Sequence, residues 1–333
     1  MRKAAKHALR LGIVLIILFV LIISAWVVLF FQSFEQDDFK LGVDFSRAYA
    51  EYLGLDWQET YTAILDDLKV KEIRLSAPWA QVEPIKDHWV FTDLDWQVEE
   101  AVKRGVSIVM VVGRRTPHWP ECHDPAWVAD LPEEIVVDRQ FLMVEKVVEH
   151  YKDVDHIKMW QVENEPLLDL FGVCPPADIN LLRKEVSLVK TLDKRPIMIT
   201  DSGELSFWVA AANTGDVFGT TLYRVIYNPW FGYSYYNLPP IFYNLKARWA
   251  GQNPKDVIIS ELQAEPWAPE GLLEVPLSEQ KYSMDGKRLV GHVNYAKRTG
   301  FAGAYLWGAE WWYWLKQEQG VDELWDEAIK LFK

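Results

Sequence analysis

Short apolar runs alternate with amphipathic runs along residues 40–333, and this alternation restricts the possible folds more than any other feature of the sequence. The runs have the length of single strands, and their continuous apolar character is typical of parallel strands buried on both faces. Eight such strands, alternating with about eight helices, favour a (β/α)8 barrel, an α/β fold. The predicted strands cover residues 40–45, 72–76, 106–113, 156–163, 196–200, 217–223, 256–262 and 303–308.

The stretches between the strands have the periodicity of helices. Apolar side chains recur on one helical face over residues 57–68 and again over residues 141–151, and Gly105 is placed to end a helix before the third strand. An open, doubly wound sheet is the alternative fold, but no Gly-rich phosphate loop follows any strand. The longest irregular stretch, residues 263–278, follows the seventh strand, and long loops of this kind are usually functional.

An uncharged apolar segment, residues 11–31, precedes the predicted barrel. As a helix it would be ~31 Å long, about the thickness of the hydrocarbon core of a bilayer. A cleaved signal peptide is the alternative, but the run is longer than a usual signal core and no small-residue cleavage site follows it. We therefore predict a cytoplasmic tail at residues 1–10, a transmembrane anchor at 11–31, a linker at 32–39 and one catalytic domain at 40–333.

Charges on the two sides of the apolar segment indicate its orientation. Basic residues precede the segment and acidic residues follow it: Arg2, Lys3, Lys6 and Arg10, then Glu35, Asp37 and Asp38. The positive-inside rule predicts a single-pass protein with a cytoplasmic N-terminus and the barrel outside the cytoplasm.

The barrel segment is acidic. Residues 40–333 hold 31 of the 35 basic residues and 45 of the 48 acidic residues. Such a balance argues against nucleic acid as a partner and against docking on an anionic lipid surface. The membrane partner is therefore limited to the apolar segment.

The chain has two cysteines, Cys122 and Cys174. Both are predicted in loops at the same end of the barrel, and an extracytoplasmic domain permits disulfides, so we expect them to be neighbours. Two free thiols are the alternative. No Cys/His spacing is typical of a metal site, and no cofactor is expected.

Polar and aromatic side chains follow most of the predicted strands, at the barrel end where such folds carry their chemistry. The fourth strand ends in "WQVENEP", with Glu163, Asn164 and Glu165, and the seventh ends at Glu261. Carboxylates at the buried end of a strand are unfavourable unless they are paired or used. The other candidate site residues at strand ends are Arg74, Trp79, His118, Trp119, Tyr223, Trp307, Glu310 and Trp311.

Two carboxylates suit glycoside hydrolysis, because one protonates the leaving oxygen while the other attacks the anomeric carbon or activates water. The abundance of tryptophan fits a sugar site, since indoles can stack on the apolar faces of sugar rings. Six of the 17 tryptophans lie near predicted strand ends: Trp79, Trp119, Trp160, Trp307, Trp311 and Trp312. Core packing is the alternative role for each of them. No Ser–His–Asp set is evident.

These motifs resemble the clan of retaining (β/α)8 glycoside hydrolases, clan A, and in particular the cellulase-like family 5. In that clan Asn-Glu-Pro ends the fourth strand and a Glu ends the seventh. The supporting matches in this chain are "WQVENEP", "IISELQ", "IRLSAPW", "GTTLY" and "GAYLWG". The resemblance covers roughly residues 40–333.

The resemblance implies a role for several residues. Glu165 would be the acid/base and Glu261 the nucleophile, with the two carboxyl groups ~5–5.5 Å apart. Asn164 would bind the 2-hydroxyl of the sugar. Tyr223 would hold Glu261, Arg74 would keep it ionised, and Trp307 would form the floor under the sugar.

Some assignments remain open. On a regular strand Asn164 and Glu165 point to opposite sides, so the strand must kink or bulge at its end if both are to reach a substrate. Glu163 is the alternative acid and Glu265 the alternative nucleophile. His118 is either a substrate contact or a surface histidine, and Glu310 and Trp311 either line the distal pocket or extend a packed strand.

The sequence therefore predicts a membrane-anchored retaining glycoside hydrolase that cleaves a β-linked oligo- or polysaccharide. An exo-acting β-glycosidase or a transglycosylase would use the same carboxylates. A non-catalytic carbohydrate-binding barrel and a structural membrane protein are the alternatives outside this class.

Overall fold

The structure, a computed structural model, describes residues 2–333 and contains ten strands among them. They are β1 (Lys40–Asp44), β2 (Glu72–Ser76), β3 (Ser107–Val112), β4 (Ile157–Val162), β5 (Ile197–Asp201), β6 (Val217–Leu222), β7 (Val225–Asn228), β8 (Gly232–Tyr235), β9 (Ile258–Gln263) and β10 (Gly303–Trp307). Eight of them close a parallel barrel in the order β1-β10-β9-β6-β5-β4-β3-β2. The predicted (β/α)8 barrel is confirmed, and the doubly wound alternative is wrong.

All eight predicted strands are barrel strands, with ends within two residues of the prediction. The barrel closes where β1 pairs with β10, with Leu41 opposite Ala304. The sequence prediction missed the antiparallel hairpin of β7 and β8, which follows β6 and lies outside the barrel.

Thirteen α-helices lie among the described residues. They are α1 (Arg2–Phe31), α2 (Arg47–Tyr52), α3 (Trp57–Asp66), α4 (Trp79–Val82), α5 (Thr92–Lys103), α6 (Glu133–Tyr151), α7 (Ile179–Leu192), α8 (Val209–Ala212), α9 (Pro240–Trp249), α10 (Leu277–Gln280), α11 (Gly286–Lys297), α12 (Ala309–Gln319) and α13 (Glu323–Leu331). Several begin at a side chain that accepts a backbone N–H and so stabilises the first turn, as Asp56 does for α3 and Asp178 for α7. Gly105 follows α5 with a φ of +69°, as a helix-ending glycine does.

The barrel interior changes from apolar to polar along the strands. The lower layer is apolar, formed by Val109, Met198 and Tyr305 with Met159, Val217 and Ile258 packed against them. Nearer the carboxyl ends, Arg74 donates to Gln161 Oε1 at 2.8 Å and to Asp44 Oδ1 at 2.8 Å. A charged group at this depth is tolerated only when it is paired, so the polar layer prepares the base of a site.

The predicted tail and the apolar segment lie on one continuous helix, α1, apart from Met1, which is outside the described residues. Residues 10–31 of this helix are long and apolar enough to cross a membrane, and none of them is buried against the barrel. A signal sequence has the same character. After the helix, Phe34 N donates to Arg298 O at 3.1 Å and Gln36 Nε2 to Gly300 O at 2.5 Å. These contacts hold the N-terminal segment at the end of the barrel where β10 begins.

Candidate active site

A cavity of about 480 Å³ opens at the carboxyl ends of the barrel strands. Both predicted catalytic carboxylates, Glu165 and Glu261, line it. Of the predicted substrate-binding residues, five line it as well: His118, Trp119, Asn164, Tyr223 and Trp307. The barrel therefore brings residues from five strand ends, separated by up to 189 positions in the sequence, to one concave surface.

The chain kinks sharply after β4. Glu163 and Glu165 have positive φ values, 59° and 43°, in a region of backbone conformation that non-glycine residues rarely adopt. Hydrogen bonds hold the kink: Asn164 N donates to Arg115 O at 2.8 Å, and Glu165 N to the hydroxyl of Thr200 at 2.9 Å. The kink predicted from the strand geometry is confirmed, and it lets Asn164 and Glu165 both reach the cavity. Backbone strain of about 1–3 kcal/mol per residue is typical of functional sites.

The same kink turns Glu163 away from the cavity. Its two carboxylate oxygens accept from the backbone N–H groups of Arg114 (2.8 Å) and Arg115 (2.5 Å). Gly113, with a φ of +136°, leaves room for this carboxylate where any other residue would place a Cβ. Glu163 therefore fastens the loop after β3 to the end of β4, and the structure does not bring the alternative acid into the cavity.

Glu165 lies in an environment that favours its protonated form. Burial raises the pKa of this carboxyl well above its usual value, and the nearby charges of Glu261, Glu121 and Asp201 raise it further. The hydroxyl of Thr221 donates to Glu165 Oε1 at 3.2 Å and has a smaller effect in the opposite direction. These surroundings favour the protonated form of the Glu165 carboxyl, which is the form that can donate a proton.

Glu261 lies among hydrogen-bond donors instead. Arg74 Nη1 lies 3.2 Å from Glu261 Oε1, and the hydroxyl of Tyr223 donates to Glu261 Oε2 at 3.1 Å. Both contacts stabilise a negative charge on this carboxylate. Arg74 was expected close to Glu261, and the structure places it there.

Arg74 also orients Asn164. Its Nη2 donates to Asn164 Oδ1 at 2.8 Å, while Gln161 Nε2 approaches the same oxygen at 3.2 Å. Because this oxygen is the acceptor, the NH2 group of the amide is left to donate into the cavity that Asn164 lines.

The wall beside β10 is aromatic. The indole N–H of Trp307 donates to Glu265 Oε1 at 2.8 Å, and the ring of His118 stacks on Trp307 with 4.0 Å between ring centres. Burial lowers the pKa of His118 to about 3, so the stacked imidazole is neutral. Glu265, the alternative nucleophile, is half-buried in this wall and does not line the cavity, and desolvation raises its pKa to about 7.

Four predicted substrate-binding residues do not reach the cavity. Trp79 is fully buried and donates to Glu83 Oε2 at 2.8 Å, and Trp311 is buried and donates to Gln280 Oε1 at 2.8 Å. Glu310 is buried as well and accepts from the backbone N–H of Ser46.

The fourth is Arg74, which is 1% exposed and contacts neighbouring side chains beneath the cavity. Of the six tryptophans near strand ends, only Trp119 and Trp307 line the cavity. The others pack in the core, because strand ends project side chains toward the surrounding helices as well as toward the barrel axis.

Several cavity residues were missed by the sequence prediction. They are Glu121, Phe171, Ser202, Glu204, Leu205, Thr221, Ile226, Tyr227, Asn228, Pro229, Tyr236 and Trp267. Trp267 belongs to the long loop after β9 that was expected to be functional. The hairpin residues had a signal, since an Asn-Pro turn separates two runs of β-branched and aromatic residues.

A disulfide joins the loops after β3 and β4. Cys122 and Cys174 are bonded, with 5.3 Å between their Cα atoms. The prediction that the two cysteines are neighbours is confirmed, and they are bonded rather than two free thiols. The bridge lies beside the segment that carries Glu121 and Phe171 into the cavity wall.

The closed parallel barrel is also found in solved structures of glycoside hydrolases of families 5 and 10. A family 5 (subfamily 18) protein from Streptomyces cattleya, in complex with GlcNAc, superposes with a TM-score of 0.58 at 12% identity, covering 81% of this chain and 70% of that one. Xylanase 10B from Thermotoga petrophila, in complex with xylobiose, gives 0.54 at 15% identity, covering 81% and 82%.

A β-galactosidase from the haloarchaeon Halorubrum lacusprofundi is also similar, with a TM-score of 0.57 at 15% identity. The match covers 80% of this chain but only 52% of that protein, about half of its length. No protein-family model matches the chain, and no curated protein matches it. The similarity is therefore one of fold, and the similar proteins are named for different sugars, as the xylanase and the β-galactosidase are.

Proposed function

We propose that the chain is a retaining glycoside hydrolase that cleaves a β-linked oligo- or polysaccharide. One observation carries the proposal: Glu165 and Glu261 line the same cavity, but Glu165 is held where its proton is favoured and Glu261 where its charge is favoured. A pair with these opposite preferences is what an acid and a nucleophile require. The ligands named for the solved neighbours, GlcNAc and xylobiose, support a carbohydrate substrate.

In the first step, the carboxylate of Glu261 attacks the anomeric carbon while Glu165 donates its proton to the glycosidic oxygen. The bond between carbon and oxygen breaks, and the leaving sugar departs as an alcohol. In the second step, Glu165, now ionised, takes a proton from water as that water attacks the anomeric carbon and releases Glu261. The product keeps the β configuration.

The remaining residues bind and orient. The NH2 group of Asn164 donates to the 2-hydroxyl of the sugar, with its orientation set by Arg74. Tyr223 and Arg74 hold the attacking carboxylate of Glu261 in place. Trp307 forms the floor under the sugar, and His118 and Trp119 contribute to the same wall. The retaining mechanism requires the two carboxyl groups to lie ~5–5.5 Å apart.

The activity is tested with the full chain in detergent, on β-glucans, mannans, xylans, galactans and aryl β-glycosides, by measuring released reducing ends. We expect turnover by the parent, none by Glu261→Ala, and parental turnover by Glu134→Ala, an exposed residue of α6. Equal activity in the parent and in Glu261→Ala would contradict the proposal. Binding without turnover would indicate the carbohydrate-binding alternative instead, and transfer to an added alcohol with little release to water would identify a transglycosylase.

We also propose that α1 anchors the barrel to a membrane, with the N-terminus in the cytoplasm and the barrel outside. The uncharged segment 11–31, and the basic and acidic residues that flank it, support this orientation. Cell fractionation should find the full chain in the membrane pellet, resistant to extraction at high pH. Recovery in the soluble fraction without residues 1–31 would instead indicate a cleaved signal sequence.

A further inference from the structure

The hairpin of β7 and β8 is fixed firmly to the catalytic strands. Gln263, two residues beyond Glu261, accepts from the backbone N–H groups of Arg224 and Val225 at 2.9 Å each, and its amide donates to Val225 O at 2.6 Å. At the far end, Asn228 Oδ1 accepts from Trp230 N at 2.8 Å, which orders the turn. The hairpin therefore projects from the cavity rim as a rigid element.

Two large aromatic side chains stand at the tip of this hairpin in full contact with water. Trp230 is 88% exposed and Phe231 is 84% exposed, more than the other exposed large hydrophobic side chains of the described chain. Leaving two such rings in water forfeits the free energy of burying them. An adjacent pair of this kind is typical of a binding surface.

The tip is continuous with the catalytic cavity. Tyr227, Asn228 and Pro229 line the cavity wall, and Trp230 and Phe231 follow them directly along the chain. The aromatic surface thus runs outward from the reacting carboxylates.

A partly exposed contact with the loop after β9 and α10 supports the hairpin from behind. Tyr233 packs on Tyr282, with 5.4 Å between ring centres, and donates to Glu279 Oε1 at 2.8 Å. The hairpin that carries Trp230 and Phe231 is consequently held by contacts of Tyr233 with the rest of the protein, and not by packing of the two exposed rings.

The charge and the position of the hairpin tip indicate which kind of ligand it binds. The turn residues 229–231 carry no charge, and the lining of the cavity beside them includes four glutamates but no Lys or Arg, so it offers no cationic partner to an anionic ligand. A lipid surface does not fit, because the N-terminal helix joins the opposite end of the barrel. A neutral sugar chain that leaves the cavity would meet the exposed rings with its apolar faces.

We infer that Trp230 and Phe231 form an outer binding surface for a neutral polysaccharide, so that the substrate is a chain extending well beyond the reacting sugar. This inference rests on the proposed function and assigns its substrate class. The surface acts only on substrates long enough to reach the hairpin, and a short glycoside does not use it.

The test compares four forms of the full chain in detergent: the parent, Trp230→Ala/Phe231→Ala, Trp230→Tyr/Phe231→Tyr, and the control Phe207→Ala. Phe207 is 81% exposed but does not line the cavity. Each form is assayed on aryl β-monoglycosides and on β-glucan, mannan, xylan and galactan. We expect the double alanine variant to lose roughly tenfold in kcat/KM on the polysaccharide that the parent cleaves and to keep its rate on the aryl glycoside.

The tyrosine variant should recover most of the polysaccharide activity, because it restores flat rings, and Phe207→Ala should match the parent. An equal loss on both substrates, no loss on either, or a parent that cleaves only aryl glycosides would overturn the inference. If the parent cleaves none of these substrates, its binding is measured by electrophoresis in gels that contain the same polysaccharides. Slower migration of the parent than of the double alanine variant would support the outer binding surface, while the proposed hydrolase activity would fail. Equal migration of the two forms would overturn the binding surface as well.

Discussion

The ends of β4 and β9 each place a glutamate on the same cavity, but the surroundings of the two glutamates are opposite in character. Around Glu165, burial and the charges of neighbouring carboxylates raise the pKa, and the nearest polar contact is a hydroxyl. Around Glu261, a guanidinium and a phenol donate to the carboxylate. The role of each glutamate therefore depends less on its place at a strand end than on the charges and hydrogen-bond donors around it.

The largest expected effect separates the two carboxylates by leaving group. Glu165→Gln should lower kcat by several orders of magnitude on a substrate with a sugar or alkyl leaving group, which needs a proton to depart. On a dinitrophenyl glycoside, which departs without one, Glu165→Gln should keep much of the rate of glycosyl-enzyme formation. Glu261→Gln should be inactive on both substrates. Pre-steady-state release of dinitrophenol measures the rate of the first step. If Glu165→Gln and Glu261→Gln lose this rate equally, the acid and nucleophile roles assigned to the two glutamates are wrong.

The next prediction concerns Arg74, whose guanidinium contacts Glu261 and has no counterpart at Glu165. Arg74→Met should lower kcat by roughly 10²-fold, because Glu261 loses a preorganised donor. It should also destabilise the fold by about 3–5 kcal/mol, because buried Asp44 loses its partner. Steady-state kinetics and denaturant unfolding measure the two losses. A matched Arg139→Met, which removes the partner of buried Glu83 away from the cavity, should leave kcat unchanged. An Arg74→Met enzyme with the parental kcat would contradict the assignment.

A third difference is covalent, since the disulfide braces the β3–β4 side of the cavity. Cys122→Ala/Cys174→Ala should lose about 2–4 kcal/mol of stability, because the bridge spans 52 residues and restricts the unfolded chain. The kcat on an aryl glycoside should change little. Thermal unfolding with and without reductant checks this: reductant should lower the Tm of the parent and leave that of the variant alone. If reductant leaves the Tm of the parent unchanged, the disulfide does not contribute the expected stability.

A last effect, on stability alone, is expected from an acid buried behind the β9–β10 side. Burial raises the pKa of Glu310 to about 8, against an ordinary value of 4.5. An acid with a raised folded-state pKa costs stability as pH rises from its unfolded value toward its folded value. Glu310→Gln lacks this cost, so its Tm relative to the parent should rise between pH 5 and pH 8. A Tm difference that does not vary over this range would mean that Glu310 titrates normally.

The barrel and its two carboxylates could be predicted because they depend on features local to each strand. A continuous apolar run marks a strand buried on both faces, and Glu165 and Glu261 stand where such runs stop. Even the kink at Glu165 follows from strand geometry together with the need for both Asn164 and Glu165 to face one way.

The tryptophans and the rim could not be predicted in this way. Whether Trp79 or Trp311 lines the cavity depends on the direction in which the chain turns after its strand. In both cases the tryptophan faces the surrounding helices instead. The pairing of Arg74 with Asn164 depends on contacts across the barrel, 90 residues apart in the chain. Rim residues such as Trp267 depend on loop shape, which a periodic pattern does not contain.

In the proposed membrane orientation, the attachment of the N-terminal segment limits how far the barrel can stand from the bilayer. Residues 32–39 would extend to at most ~27 Å if they were free. The contacts of Phe34 and Gln36 with Arg298 and Gly300 remove most of that slack. In the proposed orientation the barrel then stands directly on the bilayer with its mouth turned outward. It would process polymer that passes at one fixed height above the lipid, and polymer lying flat on the membrane would be out of its reach.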